Sequence, residues 1–167
     1  MDKTVKESEA ELSRLVLPED TNMFNNLYGG RLLEWMDNLA SITAFKHCRK
    51  KIVTGSIDNL FFLSPIKLSF IVHIHSFITY VTRSTMEIEI DVSSENLTTG
   101  EKQLTTKAFF TYVAIDDNGK PSDVPGLILS NDEERKRFDN GLLRHENRLK
   151  SLKETKESLK QNGDTGK

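Results

Sequence analysis

Arg31-Leu32-Leu33-Glu34-Trp35-Met36-Asp37-Asn38-Leu39-Ala40-Ser41-Ile42-Thr43-Ala44-Phe45-Lys46-His47-Cys48 is apolar around most of a helical circumference. Glu34, Asp37, Asn38 and Ser41 make the one narrow polar stripe. A helix that is hydrophobic nearly all round is a buried helix. In a chain of 167 residues the neighbouring segments must therefore wrap it.

Before the helix, Leu12 to Leu17 reads as a short strand stopped by Pro18, and residues 1–11 are polar and expected to be loose. Residues 19–30 are rich in loop formers and end on Gly29-Gly30. After the helix, Ile52–Leu63, Ile66–Thr82, Met86–Val92 and Leu104–Ile115 read as strands. Met86-Glu87-Ile88-Glu89-Ile90-Asp91-Val92 alternates, which predicts apolar residues inward and acidic residues outward. Leu104, Thr106, Ala108, Phe110 and Tyr112 are expected on one face. No second helical pattern separates the strands, so they should pair antiparallel. The order predicts an α+β fold, a curled antiparallel sheet around one central helix.

After Pro121 and Pro125 the composition turns charged. Ser130 with Glu133 three residues on fits a capping box, and a helix is expected from about Asn131. Gly141 is a candidate break, and Leu142, Leu149, Leu152 and Leu159 form a weak seam interrupted by His145 and Lys156. The end from about Gln161 is expected to be disordered. The domain expectation is a core over residues 12–128 and a charged helical extension over 129–167.

Composition excludes several function classes. The 23 basic and 25 acidic residues leave a net charge of −2, which does not suit a nucleic-acid binder. One cysteine permits no internal disulfide and gives no metal framework. The N-terminus lacks a signal-peptide apolar run, so a soluble, cytoplasmic protein without membrane association is expected. P-loop and dinucleotide fingerprints are absent.

Local strings sharpen the fold. Pro18-Glu19-Asp20-Thr21-Asn22, Asn26-Leu27-Tyr28-Gly29-Gly30, Trp35-Met36-Asp37, Val53-Thr54-Gly55-Ser56-Ile57-Asp58, Phe62-Leu63-Ser64-Pro65-Ile66 and Phe109-Phe110-Thr111-Tyr112-Val113 occur in order. In that order and spacing they resemble the acyl-CoA hydrolase branch of hotdog-fold thioesterases, over about residues 12–138. That branch includes small bacterial thioesterases and two-repeat cytosolic hydrolases of animals. The resemblance implies a single hotdog domain and an acyl-CoA substrate. It implies a catalytic carboxylate at Asp37, acting as general base or as nucleophile. It implies no metal and no organic cofactor, coenzyme A being part of the substrate.

Thioester hydrolysis also needs donors for the developing oxyanion. The first N–H groups of a helix have no internal partners and favour negative charge, so Gly30 N–H is the expected oxyanion donor. Gly30 and Asp37 stand seven residues apart, about 10 Å along a helix. One chain cannot easily bring both to one carbonyl, and two chains related by a two-fold axis can. The Asn26 amide is a candidate for the thioester oxygen or for orienting water, with loop formation as its plain alternative. Asn22 is expected to shape the loop. For coenzyme A the candidates are Arg83 and Ser84 in a turn and Thr54 and Ser56, expected on one strand face. Arg49, Lys50 and Lys51 read as a solvated helix end.

Other constellations carry less. His47 and Cys48 are adjacent on a helix and do not face each other. His73 and His75 share a strand face, but no third metal ligand is suggested. Asp37 and His47 are ten apart, which disfavours hotdog dehydration chemistry. The competing functions are a non-catalytic acyl-CoA-binding module and a ligand-free structural oligomer. Exposed sheet edges and the resemblance together imply a homo-oligomer, a dimer at minimum and a hexameric trimer of dimers by preference.

Overall fold

In the computed structural model, Gly29–Cys48 is one 20-residue helix, α2. The structure describes residues 1–58 and 60–163. The helix ends where Arg49 takes the left-handed conformation (φ 52°) and its N–H bonds the Phe45 carbonyl. Ahead of it lie β1 (Lys3–Thr4), α1 (Val5–Ser8) and β2 (Ala10–Leu15); behind it come β3 (Lys51–Asp58), β4 (Phe70–Val81), β5 (Thr85–Asn96), β6 (Lys102–Ile115), β7 (Leu127–Ile128) and α3 (Asp132–Gly163).

Five strands form one antiparallel sheet in the order β2-β4-β5-β6-β3. Its inner face packs on α2. Met36, Ala40 and Ala44 of the helix and Met86, Ile88, Ile90, Val92 and Phe110 of the sheet are fully buried in that core. The expected alternation of β5 thus holds on its apolar side.

Its acidic side is a correction. Glu87 and Glu89 do not face water; they are 1% and 3% exposed, because α3 lies across them. Arg144 grips Glu87 through Nε (3.2 Å to each carboxylate oxygen) and through a terminal nitrogen at 2.7 Å. Arg148 bridges Glu87 and Asp58 at 2.7 and 2.5 Å, and Thr79 donates to Glu87 at 2.7 Å. Arg137 and Lys107 pair with Glu89. Buried carboxylates need such partners.

The C-terminal helix differs from expectation in two more ways. Its cap sits one residue later, with Asn131 Oδ1 accepting from Glu134 N–H, and the Glu134 carboxylate accepts from Ser130 N–H, one residue before the cap. Gly141 does not break it. A Cβ there would lie 2.5 Å from Tyr80 Cβ, so the glycine lets α3 pass close against β4. Alanine normally favours a helix interior over glycine by about 1 kcal/mol. At this contact the sign reverses, and Gly141→Ala is expected to lower the thermal midpoint; a raised midpoint would contradict the close approach. The expected disorder from about Gln161 falls partly outside the described residues: the helix backbone runs to Gly163, and 164–167 are not described.

Residues 3–8 are ordered rather than loose. β1 pairs parallel with β7, and Val5 and Ser8 are buried. His47 on α2 anchors this corner. Its Nε2 is 3.0 Å from the Pro125 carbonyl, which can only accept, so Nε2 carries the proton. Nδ1 is then bare and accepts from the Ser8 hydroxyl at 3.3 Å. Burial holds the imidazole below its ordinary value of 6.5. The folded state therefore favours the neutral ring. Its stabilisation is full above about pH 6.5 and is lost as pH falls below that value toward the depressed folded one. His47→Gln keeps a donor toward Pro125 and cannot charge. Thermal midpoints at pH 7.5 and 5.5 should fall further in wild type than in the variant; equal falls would contradict the assignment.

The sheet carries three register shifts among the described residues, one of them in β4 beside Thr79, and the other two turn side chains from their expected faces. A register shift at Gly55 places Thr54 opposite Tyr112 but Ser56 opposite Thr111. A one-residue slip flips every following side chain, so Thr54 and Ser56 do not share a face as expected. A second shift beside Thr105 turns Leu104 outward, 54% exposed, away from Thr106, Ala108, Phe110 and Tyr112. Strand ends are also shorter than read: 60–63 and 66–69 are loop.

Candidate active site

The helix opens beneath two aromatic rings. The side chain of Tyr28, the N-cap, makes no capping bond, and among the described residues neither Gly29 nor Gly30 N–H finds an acceptor. Arg31 and Leu32 N–H already bond the Tyr28 carbonyl. Two unpaired donors therefore stand at the positive end of a 20-residue helix. A Cβ on Gly29 would lie 3.4 Å from the Phe62 ring, and one on Gly30 would lie 2.7 Å from Tyr28. Glycine is what fits there.

Asn22, Asn26 and Gly29 line a cleft of about 370 Å³ whose walls are mostly apolar, including Leu27, Leu32, Phe62 and Ile66. Asn22 shapes the loop as expected: its Oδ1 accepts from Phe24 N–H at 2.9 Å and from Asn26 N–H at 3.2 Å. That leaves its Nδ2, for which the described residues supply no acceptor. Asn26 is half-buried and its backbone bridges to Lys67.

Asp37 is not in this cleft. It sits further along α2, half-buried, against the sheet. Tyr112 Oη donates to its Oδ1 at 2.7 Å and toward its backbone carbonyl at 2.9 Å. Thr54 Oγ1 donates to the same Oδ1 at 3.2 Å. Burial first, and then Asp37, push the Tyr112 phenol far above its ordinary value, so it stays a donor. Tyr112 was absent from the sequence-derived candidates. Its place in the inward alternation of its strand was the available signal, but the alternation does not reveal which helix residue it meets.

The coenzyme A candidates separate. Thr54 binds Asp37. Ser56 faces the α3 side with its hydroxyl buried and without a partner among the described residues. Arg83 and Ser84 occupy the β4–β5 turn, where Arg83 makes an exposed pair with Asp123 at 3.5 Å and the Ser84 carbonyl accepts from Ala114. Lys50 and Lys51 are engaged with Asp123 and Asp117. His73 lies between Ser13 and Glu95 at 2.7 and 2.8 Å. Among the described residues no group of three or more His, Cys, Asp or Glu is placed to hold a metal ion. Nor is any described helix long and apolar enough to cross a membrane.

Comparison with known proteins gives the family. Residues 24–101 match the Thioesterase superfamily. The acyl-CoA thioester hydrolase YkhA of Bacillus subtilis, uncharacterized by its name, is 43% identical over 129 residues, 77% of this chain and 75% of that one. The chain belongs to the thioesterase superfamily. Within this hotdog superfamily it is an acyl-CoA thioesterase by relationship. A crystal structure of an apo-hexameric acyl-CoA thioesterase superposes with a TM-score of 0.86 at 38% identity, covering 90% of this chain and 97% of that one. The acyl-CoA hydrolase of Staphylococcus aureus, solved with butyryl coenzyme A, coenzyme A and coenzyme A disulfide, superposes at 0.90 with 32% identity, covering 98% and 99%. That thioesterase has also been solved with one aspartate, one asparagine or one threonine replaced by alanine.

Proposed function

We propose that the chain hydrolyses fatty acyl-CoA to coenzyme A and a free acid at a site shared by two copies. The carrying observation is the hydrogen bond between Asp37 and Thr54. In the S. aureus enzyme the replaced asparagine, aspartate and threonine follow one another at intervals of 15 and 17 residues. Asn22, Asp37 and Thr54 repeat that order and both intervals.

In this reading Asp37 of one subunit activates water or attacks the thioester carbonyl. Gly30 N–H, with Gly29 N–H beside it, takes the oxyanion, and the amides of Asn26 and Asn22 orient the thioester or the water. These groups come from the second subunit, because about 10 Å of helix separates Gly30 from Asp37 in one chain. Surface chemistry supports pairing. β3 is a sheet edge, and on the open stripe of α2 the apolar Ile42 and Phe45 are 51% and 47% exposed. Unpaired edges and apolar stripes are usually covered. Further association of dimers, as in the hexameric relative, is part of the same proposal. Arg83 and Ser84 are the proposed phosphate contacts, with Arg83 exchanging its exposed partner Asp123 for phosphate. The apolar cleft beneath Phe62 takes the acyl end.

The test is release of free thiol from acyl-CoAs of graded chain length, followed with a thiol reagent. Turnover with at least one chain length is expected. Binding without release across the panel would instead favour an acyl-CoA-binding module.

A further inference from the structure

The donors on the Asp37 carboxylate all fall on one oxygen. Tyr112 and Thr54 both give their hydrogen to Oδ1, and among the described residues none goes to Oδ2. Tyr112 Oη also reaches the backbone carbonyl of the same residue. A donor shared between a residue's own carbonyl and its side-chain oxygen fixes the side-chain torsion, since Oδ1 must stay beside the helix backbone. We infer that Tyr112 is a positioning residue that pins Oδ1 of Asp37 and leaves Oδ2 as the oxygen that meets water or the thioester carbonyl. This rests on the reading of Asp37 as the reacting carboxylate.

The fold makes Tyr112 rigid enough for that task. It is 1% exposed and belongs to the core, so its ring cannot turn away. Thr54 stands opposite it in the β3–β6 ladder, on the same face, immediately before the bulge at Gly55. The bulge lets one strand send Thr54 to Asp37 and Ser56 and Asp58 to the α3 side. At Gly55 a Cβ would meet the Thr111 carbonyl and Val113 at 3.2 Å, so the bulge is held by close packing. A reacting group held by locked neighbours needs little reorganisation in the transition state.

Tyr112→Phe keeps the ring and removes only the donor. With the acyl-CoA that wild type turns over best, kcat is expected to fall about 10- to 100-fold, the range for losing one hydrogen bond to a charged group. KM should stay within about twofold, because substrate touches neither Tyr112 nor Oδ1. Thr54→Val should act in the same direction, and the double variant should lose less than the product of the two effects, as expected when both act through one oxygen. Wild-type kcat in Tyr112→Phe would overturn the inference, and so would a loss confined to KM. A variant that no longer assembles would make the hydroxyl a determinant of fold and overturn it too. Full activity in Asp37→Ala would instead sink the underlying reading of Asp37.

Discussion

Asp37→Asn is expected to release thiol from acyl-CoA about 10²- to 10⁴-fold more slowly than wild type, the usual contribution of a positioned acid–base group, with assembly mass and thermal midpoint unchanged. The amide is the same size, and its oxygen can still accept from Tyr112 and Thr54 on the Oδ1 side. What changes is the other oxygen, which becomes an NH2 group that neither takes a proton from water nor attacks a carbonyl. The helix and the sheet contact are untouched, so a loss of rate with an intact assembly isolates the chemistry. A variant within a few-fold of wild type would mean that Asp37 only solvates its face of the helix.

The second large effect is on stability. Removing both Arg144 and Arg148 by substitution with alanine is expected to cost about 3–5 kcal/mol, because Glu87, 1% exposed, would be left with neither arginine partner. For a chain of this size that is a fall of roughly 10 °C in the thermal midpoint. Arg144 also stacks 3.7 Å over the Phe109 ring, so packing is lost together with charge. Adding Glu87→Leu to the double variant should recover much of the loss, since an apolar group needs no partner there. A double variant as stable as wild type would show that α3 is not held by this network.

Much of this was legible in the sequence, in identifiable places. The apolar girth of residues 31–48 required a wrapping sheet, and the sheet is there. The alternation in Met86–Val92 separated the two faces of β5, but alternation states only that a face is polar. It does not state whether water or a basic helix covers it. Arg137, Arg144 and Arg148, spaced seven and four apart on one side of a helix, were the unread counterpart of Glu87 and Glu89. The bulges escaped because a strand pattern assumes a strict period of two, although a glycine at 55 inside a strand is itself a bulge signal.

The candidate site divides in the same way. The helix N-terminus at Gly29-Gly30 was accessible from the helix pattern, whereas helix phase gave Asp37 only a place on the polar stripe and the family resemblance singled it out. Tyr112 was not, because its partner lies 75 residues away in sequence. Asn22 was read as a loop former, which its Oδ1 is, and nothing local distinguishes an amide that also offers Nδ2 to a cleft.

The shared site is most directly tested by complementation. One subunit carries Asp37→Asn, and the other carries Asn22→Asp with Asn26→Ala; the two are co-expressed with different tags and assayed for thiol release. In each mixed dimer one site has every group intact and the other has neither. Random pairing should therefore restore about a quarter of wild-type activity, carried by the doubly tagged species. A mixture no more active than its two parents, with mixed dimers present, would place the whole site within one chain and contradict the proposal.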